Sequence, residues 1–392
     1  MTDVATFGDT LRRLMAERGM TLGALAERAL FDKGYLSKVL NGKKPPSEAV
    51  AKACDAALAA RGELVSAARL DLVAARDAQP WQTAELIHRI QSSDTSASAL
   101  EGLDATVFEL CCQYPYRDAS DLRREAQDWL RRVADLLRRP VGLRQHRELL
   151  VAAGRLALLI GCVEYDMGLR AGAEATRIAA RQLAHEAGSA EILAWTHELS
   201  AWFALTQGRY ESVVDEAAAG VAVAGSHPVT VQLLAQRAKA KARIGDIESV
   251  RRALGEGADL LAAMPRPDRP DHHFVVDPDK WDFYAMDAYR LAGADDLAAE
   301  HARQVLARSR RPNGGEASPM RAAEARLTLG VVAARAGDLE EALVRGTEAL
   351  GGDRRSLPSL VMVASELEST LHELYPEEPG TRGFTDHLRS VG

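Results

Sequence analysis

The stretch from Thr21 to Ser47, TLGALAERALFDKGYLSKVLNGKKPPS, leaves the chain little conformational freedom. Thr21 can cap a helix by offering its side-chain oxygen to the open amides of the first turn, and Leu22, Leu25, Ala26 and Ala29 then share one face. Phe31–Asp32 reads as a turn, and Asp32 can cap a second helix with Leu36, Val39 and Leu40 turned inward. Asn41–Gly42 stops that helix, because both residue types accept the left-handed conformation that closes a helix. Lys43 and Lys44 follow, then Pro45–Pro46, and Ser47 caps another helix. Two short helices cannot bury their apolar edges alone. The flanking segments complete the domain: residues 4–18 place Phe7, Leu11 and Leu14 on one face, and residues 47–58 place Val50, Cys54, Ala57 and Leu58 inward. This reading ends the domain near Arg61, with residues 63–76 continuing as an alanine-rich helix until Pro80 breaks the pattern.

The segment resembles the helix-turn-helix of the Cro/C1-type (XRE) repressor family. The likeness rests on Thr21 before the first helix, Leu25-Ala26-Glu27 within it, Leu36-Ser37 in the second, and Asn41-Gly42-Lys43 before Pro46-Ser47. Thr21 to Leu40 spans 20 residues, as the two-helix unit of that family does. The resemblance implies binding to double-stranded DNA with the second helix in the major groove. Lys33, Tyr35 and Lys38 are then expected to reach base edges, while Thr21, Ser37, Asn41, Lys43 and Lys44 are placed for phosphates. Two residues depart from the family pattern: Leu22 stands where Gln is common, and Gly34 removes a reading side chain at about 0.5–1 kcal/mol of helix stability.

Charge supports a localised site. The chain carries −7 overall, but residues 1–61 hold ten Lys/Arg against seven Asp/Glu, a net of +3, so the remainder carries −10. A basic head on an acidic body fits a nucleic-acid surface confined to the head. The four cysteines, Cys54, Cys111, Cys112 and Cys162, form no CxxC pair and read as reduced, buried thiols. Met1-Thr2-Asp3-Val4 is not a secretory start, and the longest apolar stretch, Leu156 to Val163, is too short for a bilayer. A cytoplasmic protein without membrane contact is expected.

Aromatics are only 5% and alanine and leucine dominate, with no β-branched run that suggests a sheet. From Trp81 onward the pattern is helical throughout, interrupted by Ser92 to Ser98, Pro115 and Pro140. After about residue 145 a repeat becomes visible: YDMGLRAGAEA, LTQGRYESVV, ARIGDIESVRRAL, RLAGADDLAAEHA and ARAGDLEEALVRG each carry a helix ending in glycine and then a new helix. Their glycines, Gly168, Gly208, Gly245, Gly293 and Gly337, are 40, 37, 48 and 44 residues apart. A tetratricopeptide unit is about 34 residues, so the pattern looks like a degenerate tetratricopeptide array with longer loops. The longest gap contains Pro265, Pro267, Pro270 and Pro278, which demand a loop. Helix pairs of this kind stack into a solenoid with a concave surface. Head, Trp81-Gln-Thr-Ala-Glu linker and repeats together resemble actinobacterial XRE regulators with tetratricopeptide-like bodies.

The loop Asp271 to Tyr284, DHHFVVDPDKWDFY, gathers His272, His273, Asp277, Asp279, Trp281 and Tyr284 in a chain poor in aromatics. It interrupts the repeat, so it is a candidate to line an effector site on the concave face; an equal reading is a loop that caps the groove with its own side chains. Its His/Asp spacing matches no standard metal pattern. Trp195 and Trp202, seven apart, share a helix face that reads as core, and the arginine-rich run 123–139 carries an apolar stripe that marks its arginines as a solvated or ion-paired face.

No phosphate loop, GxGxxG, HExxH or GxSxG pattern is present, so neither an enzyme nor a cofactor is expected. The expected architecture is all-α: a helix-turn-helix domain over 1–61, a helical linker or dimerisation region over 62–144, and a tetratricopeptide-like α-solenoid over 145–392. The expected function is a dimeric transcriptional regulator on an inverted-repeat operator, with a body that dimerises and senses a peptide or small molecule. The alternative is an interaction scaffold whose repeats hold a partner protein while the head localises it to DNA.

Overall fold

The computed structural model describes residues 6–76, 97–139, 141–311 and 315–391. The expected linker at Trp81 and nearly all of the Ser92–Ser98 break lie outside them. Among the described residues there are nineteen helices and no strand, only an isolated bridge between Arg310 and Glu316. The chain divides into two compact units, residues 1–83 and 84–392.

Side-chain caps start the helices of the first unit. α1 (Phe7–Glu17) begins on Thr6, α2 (Leu22–Ala29) on Thr21, α3 (Lys33–Leu40) on Asp32 and α4 (Glu48–Ala57) on Ser47, each accepting a backbone N–H of the first turn. α5 (Glu63–Arg76) completes the set. Phe7, Leu11, Leu14, Leu25, Leu36, Val39, Val50, Cys54 and Leu58 meet in one core, as their spacing requires. That core also takes Leu64, Ala67 and Ala68 from α5. Asp55 accepts from the N–H groups of Gly62 (2.8 Å) and Leu64 (3.0 Å), and Asp71 accepts from the N–H of Phe7 at 2.9 Å. The boundary expected at Arg61 therefore moves past α5. Residues 59–62 form a tight turn in which Ala59 and Arg61 hold φ of 48° and 52°, and the helix after it belongs to the head rather than to a linker region.

The second unit opens with α6 (Ala97–Gln113) and α7 (Ala119–Leu137), which pack on each other and on α8. Leu122, Ala126, Trp129, Val133 and Leu136 are the buried stripe of α7. Its Arg124, Arg131 and Arg138 each pair with an aspartate three residues earlier, which makes the arginine-rich run an ion-paired surface.

Six helical hairpins follow: α8 (Leu143–Asp166) with α9 (Arg170–Ala187), α10 (Ala190–Thr206) with α11 (Tyr210–Ala224), α12 (Val229–Ile244) with α13 (Ile247–Ala262), α14 (Pro278–Leu291) with α15 (Asp295–Ser309), α16 (Pro319–Arg335) with α17 (Leu339–Leu350), and α18 (Leu357–Leu374) with α19 (Pro379–Val391). In the first five the turn holds Gly168, Gly208, Gly245, Gly293 or Gly337 at φ of 76°, 72°, 86°, 71° and 91°. A side chain there is strained, so the glycines read as repeat markers are backbone requirements of one recurring turn.

The first helices of the pairs stack on one another, α8 on α10, then α12, α14, α16 and α18, which builds an inner layer. Their partners form an outer layer seated on small residues, such as Ala173, Ala180 and Ala184 of α9 and Ala298 and Ala302 of α15. This is where the alanine-rich composition goes: small contacts let helices approach closely. α18 then packs on α8 and α10 as well as on α16, so the inner layer curls round until its last helix meets its first. Arg354, just before α18, donates to Asp166 at the end of α8 (2.9 Å) and to the Tyr114 carbonyl (3.0 Å). Trp202 of α10 donates its indole N–H to Ser359 of α18 at 2.9 Å. Glu366 of α18 accepts from Arg243 of α12 (2.9 Å) and Arg290 of α14 (2.8 Å), while Arg290, fully buried, also donates to Thr328 of α16 at 2.7 Å. One polar network thus ties four inner helices.

All four cysteines are free and buried, and burial pushes the Cys54 thiol up to about 11. Among the described residues no helix is long and apolar enough to cross a membrane.

Candidate functional site

In the first unit, α3 turns Leu36 and Val39 into the core and leaves Lys33, Gly34, Lys38 and Asn41 exposed, with Ser37 half-buried. Asp32 starts the helix by accepting the N–H of Tyr35 at 2.8 Å. Gly34 has a local reason: a Cβ there would crowd the Asp32 carboxylate oxygen at 3.1 Å. At the other end the N–H of Gly42 reaches the carbonyl of Val39 (3.1 Å) and that of Lys43 reaches Lys38 (2.8 Å), with Gly42 at φ 69°. This double closure holds Lys43 and Lys44 directly beyond the helix.

Lys33, Lys38, Lys43 and Lys44 are all exposed, and none has a carboxylate at ion-pair distance among the described residues. The eight residues expected to meet DNA take different stations. Tyr35 is half-buried, its ring stacked on Phe31 at 6.2 Å with the Lys44 ammonium 5.7 Å above it, so it serves as a platform for Lys44. The Thr21 hydroxyl oxygen caps α2 by accepting from Ala24 N–H at 3.3 Å. Asn41 donates its amide to the Ser37 carbonyl at 2.9 Å. Sequence reasoning missed Arg12 of α1, which donates to the carbonyl of Leu40 (2.8 Å) and to Asn41 (3.3 Å) and so fixes the end of α3. No local pattern signals it, because the contact spans 28 positions.

In the second unit the inner helices line a cavity of about 130 Å³ that is partly open to solvent. α10 contributes Glu198, Trp202 and Leu205; α12 contributes Gln232, Gln236 and Lys239; α14 contributes Lys280, Phe283 and Tyr284; α16 contributes Met320, Arg321 and Glu324; α18 contributes Ser359 and Met362. The first two sets are spaced i, i+4, i+7, one stripe per helix. Trp202, expected in the core, is a wall of this cavity, whereas Trp195 is buried edge-on to Phe274.

The expected loop Asp271–Tyr284 turns helical at Pro278, so Trp281 and Tyr284 sit on α14, and the segment is divided between the two roles considered for it. His273 and Tyr284 line the cavity. His272 does not; its ring packs on Phe108 at 4.5 Å and its Nδ1 is buried without a partner. Burial lowers His272 to about 4 and holds His273 well below its ordinary value, so both are neutral. Asp277 accepts the N–H of Lys280 at 3.2 Å and caps α14. Trp281 fills the space over Gly257 of α13, where a Cβ would lie 2.4 Å from the indole. Its expected place in a ligand site is thus corrected: it packs between α13 and α14. The Asp279 side chain lies outside the described residues.

Sequence reasoning missed most polar groups of the cavity. Glu198 accepts from Gln232 (2.9 Å) and Gln236 (2.8 Å). Lys280 donates to the carbonyls of His272 (3.3 Å), His273 (2.9 Å) and Val275, which pins the loop; burial lowers its ammonium to about 7. Lys239 lies over the rings of Phe283 (4.7 Å) and Tyr284 (5.6 Å). Glu324, with 6% of its surface exposed, is pushed up by burial to about 7. Their signal was present but faint: polar residues at i, i+4, i+7 or i, i+3 within helices otherwise rich in alanine, leucine and valine. Among the described residues no group of three or more His, Cys, Asp and Glu side chains is placed to hold a metal.

No curated protein matches the chain. Residues 6–68 match the family model of a helix-turn-helix domain, a stretch that ends on Ala68, the last residue of the head core.

Proposed function

We propose that the chain is a cytoplasmic transcriptional regulator of the Cro/C1 (XRE) type that reads duplex DNA with α3. The observation that carries this reading is the set of four exposed lysines on α3 and the loop beyond it, none with a carboxylate at ion-pair distance among the described residues, within a domain that matches a helix-turn-helix model. Lys33 and Lys38 approach base edges, with Tyr35 beside them; Lys43, Lys44, Thr21, Ser37 and Asn41 hold phosphates. A lysine donates to guanine N7 and O6, and the phosphate contacts set register without reading sequence.

One head covers few base pairs, so the active species is a homodimer on an inverted repeat with half-site centres about 34–36 Å apart. The body, a tetratricopeptide-like array, supplies the dimer surface and takes an effector. No catalytic step is assigned to it. Sequencing the genomic fragments that co-purify with the protein tests the reading. Enrichment of sites with two-fold symmetric halves is expected; fragments with no enriched sequence overturn it.

A further inference from the structure

Arg321 and Glu324 stand one turn apart on the cavity face of α16 and do not pair with each other. Opposite charges at this spacing ordinarily attract on a helix surface. Here Arg321 donates its Nε to Ser318 at 3.0 Å, and the rest of its guanidinium has no partner among the described residues. Glu324 is more than nine-tenths buried, yet its carboxylate has no hydrogen-bonding partner among the described residues. A buried charge left in this state is costly unless something fills its place. The other charges of the cavity are engaged: Asp271 on Arg269, Lys280 on three loop carbonyls, Glu198 on two amides, Lys239 beside Asp287 at 3.7 Å and over two rings.

Size limits the occupant. A water needs roughly 10–15 Å³ of such space, so about 130 Å³ admits on the order of ten non-hydrogen atoms. That is the scale of a single amino acid in the part of the cavity the helices surround. Phe283, Met320, Met362 and Trp202 offer apolar and aromatic surface, beside the Gln232, Gln236 and Ser356 oxygens, which are buried without hydrogen-bond partners among the described residues.

We propose that this cavity binds a free amino acid or a zwitterion of that size, its ammonium on the Glu324 carboxylate and its carboxylate on the Arg321 guanidinium. The two ligand charges complete the two protein charges, and the ligand's side chain lies on the apolar wall. Methionines adapt to irregular shapes, which suits a site that accepts a set of related side chains. The proposal rests on the reading of the body as the sensing part of a DNA-binding regulator.

The test is titration calorimetry on the full chain with each free L-amino acid, and with the matching amine lacking the carboxylate and the matching acid lacking the amine. One or more amino acids bind one to one, and each truncated analogue binds weaker on the order of tenfold or more. Glu324→Gln and Arg321→Gln reduce binding similarly, with circular dichroism unchanged. If Glu324→Gln does not fold, Arg321→Gln, a half-buried position, carries the test. Equal binding by an analogue that lacks either charge overturns the proposal, as does the absence of binding by every amino acid at millimolar concentration. Lys38→Ala retains amino-acid binding whatever its effect on DNA, so failure of the DNA reading and failure of this site are separately visible.

Discussion

Arg354 and Asp166 lie 188 positions apart in the chain and form a buried ion pair at 2.9 Å. The contact joins the entry to the last hairpin of the array with the exit of its first inner helix. It makes the inner layer a closed curl, and the cavity exists because the curl closes.

Arg354→Ala leaves the Asp166 carboxylate buried without its cation, and removing one partner of a buried pair costs about 3–5 kcal/mol. Chemical denaturation of the full chain is expected to show the body unfolding earlier, with the head transition unchanged. If Arg354→Ala unfolds at the denaturant concentration of the parent, α18 is not held to α8 by this pair.

Glu324 supplies a prediction in pH. Burial raises its carboxyl to about 7, above the value near 4.5 of an exposed glutamate. Between those two values the folded chain holds the proton more often than the unfolded one, so this residue weakens the fold as pH rises through the window. Glu324→Gln removes the titration. In the absence of ligand the variant's unfolding free energy is expected to exceed the parent's by little at pH 4.5 and by progressively more up to pH 7, to a limit on the order of 3 kcal/mol. A difference that stays constant with pH contradicts the burial of an unpaired carboxylate.

Leu30 is the turn residue between α2 and α3, at φ 57° with 91% of its surface exposed. The N–H of Phe31 closes on the Ala26 carbonyl at 3.1 Å, the geometry that favours glycine at the position before it. Leu30→Gly relieves the strained backbone and gives up almost no packing, and is expected to stabilise the head by about 1 kcal/mol. A lower melting temperature for the head would show that the side chain has a contact in solution that outweighs the strain.

The head was legible because its determinants are local. Thr21, Asp32 and Ser47 cap the helices that follow within three residues, and Leu25, Leu36 and Val39 face inward by periodicity alone. The five turn glycines were legible for the same reason. The head's true end was not: the chain after Arg61 reads as more helix, and only Asp55 and Asp71, reaching across 7 and 64 positions, show that α5 folds back. The closure was invisible because Trp202–Ser359 and Arg354–Asp166 span 157 and 188 positions. The aromatic loop attracted notice as a cluster, yet Trp281 answers a hole over Gly257 that no local pattern announces. Meanwhile the polar residues that define the cavity, among them Glu198 and Glu324, come from separate helices and become a constellation only when five inner helices stack.

The central claim is that α3 and the loop after it read duplex DNA. Fluorescence anisotropy with a genomic fragment that co-purifies with the protein, beside a scrambled duplex of equal length, over a range of salt concentrations, tests it most directly. The parent protein is expected to prefer the genomic fragment. Lys38→Ala narrows that preference by about 1–3 kcal/mol per lost base contact. Lys43→Ala with Lys44→Ala weakens both duplexes alike and flattens the salt dependence. Equal affinity of the parent for the two duplexes, or unchanged binding in all of these variants, contradicts the account.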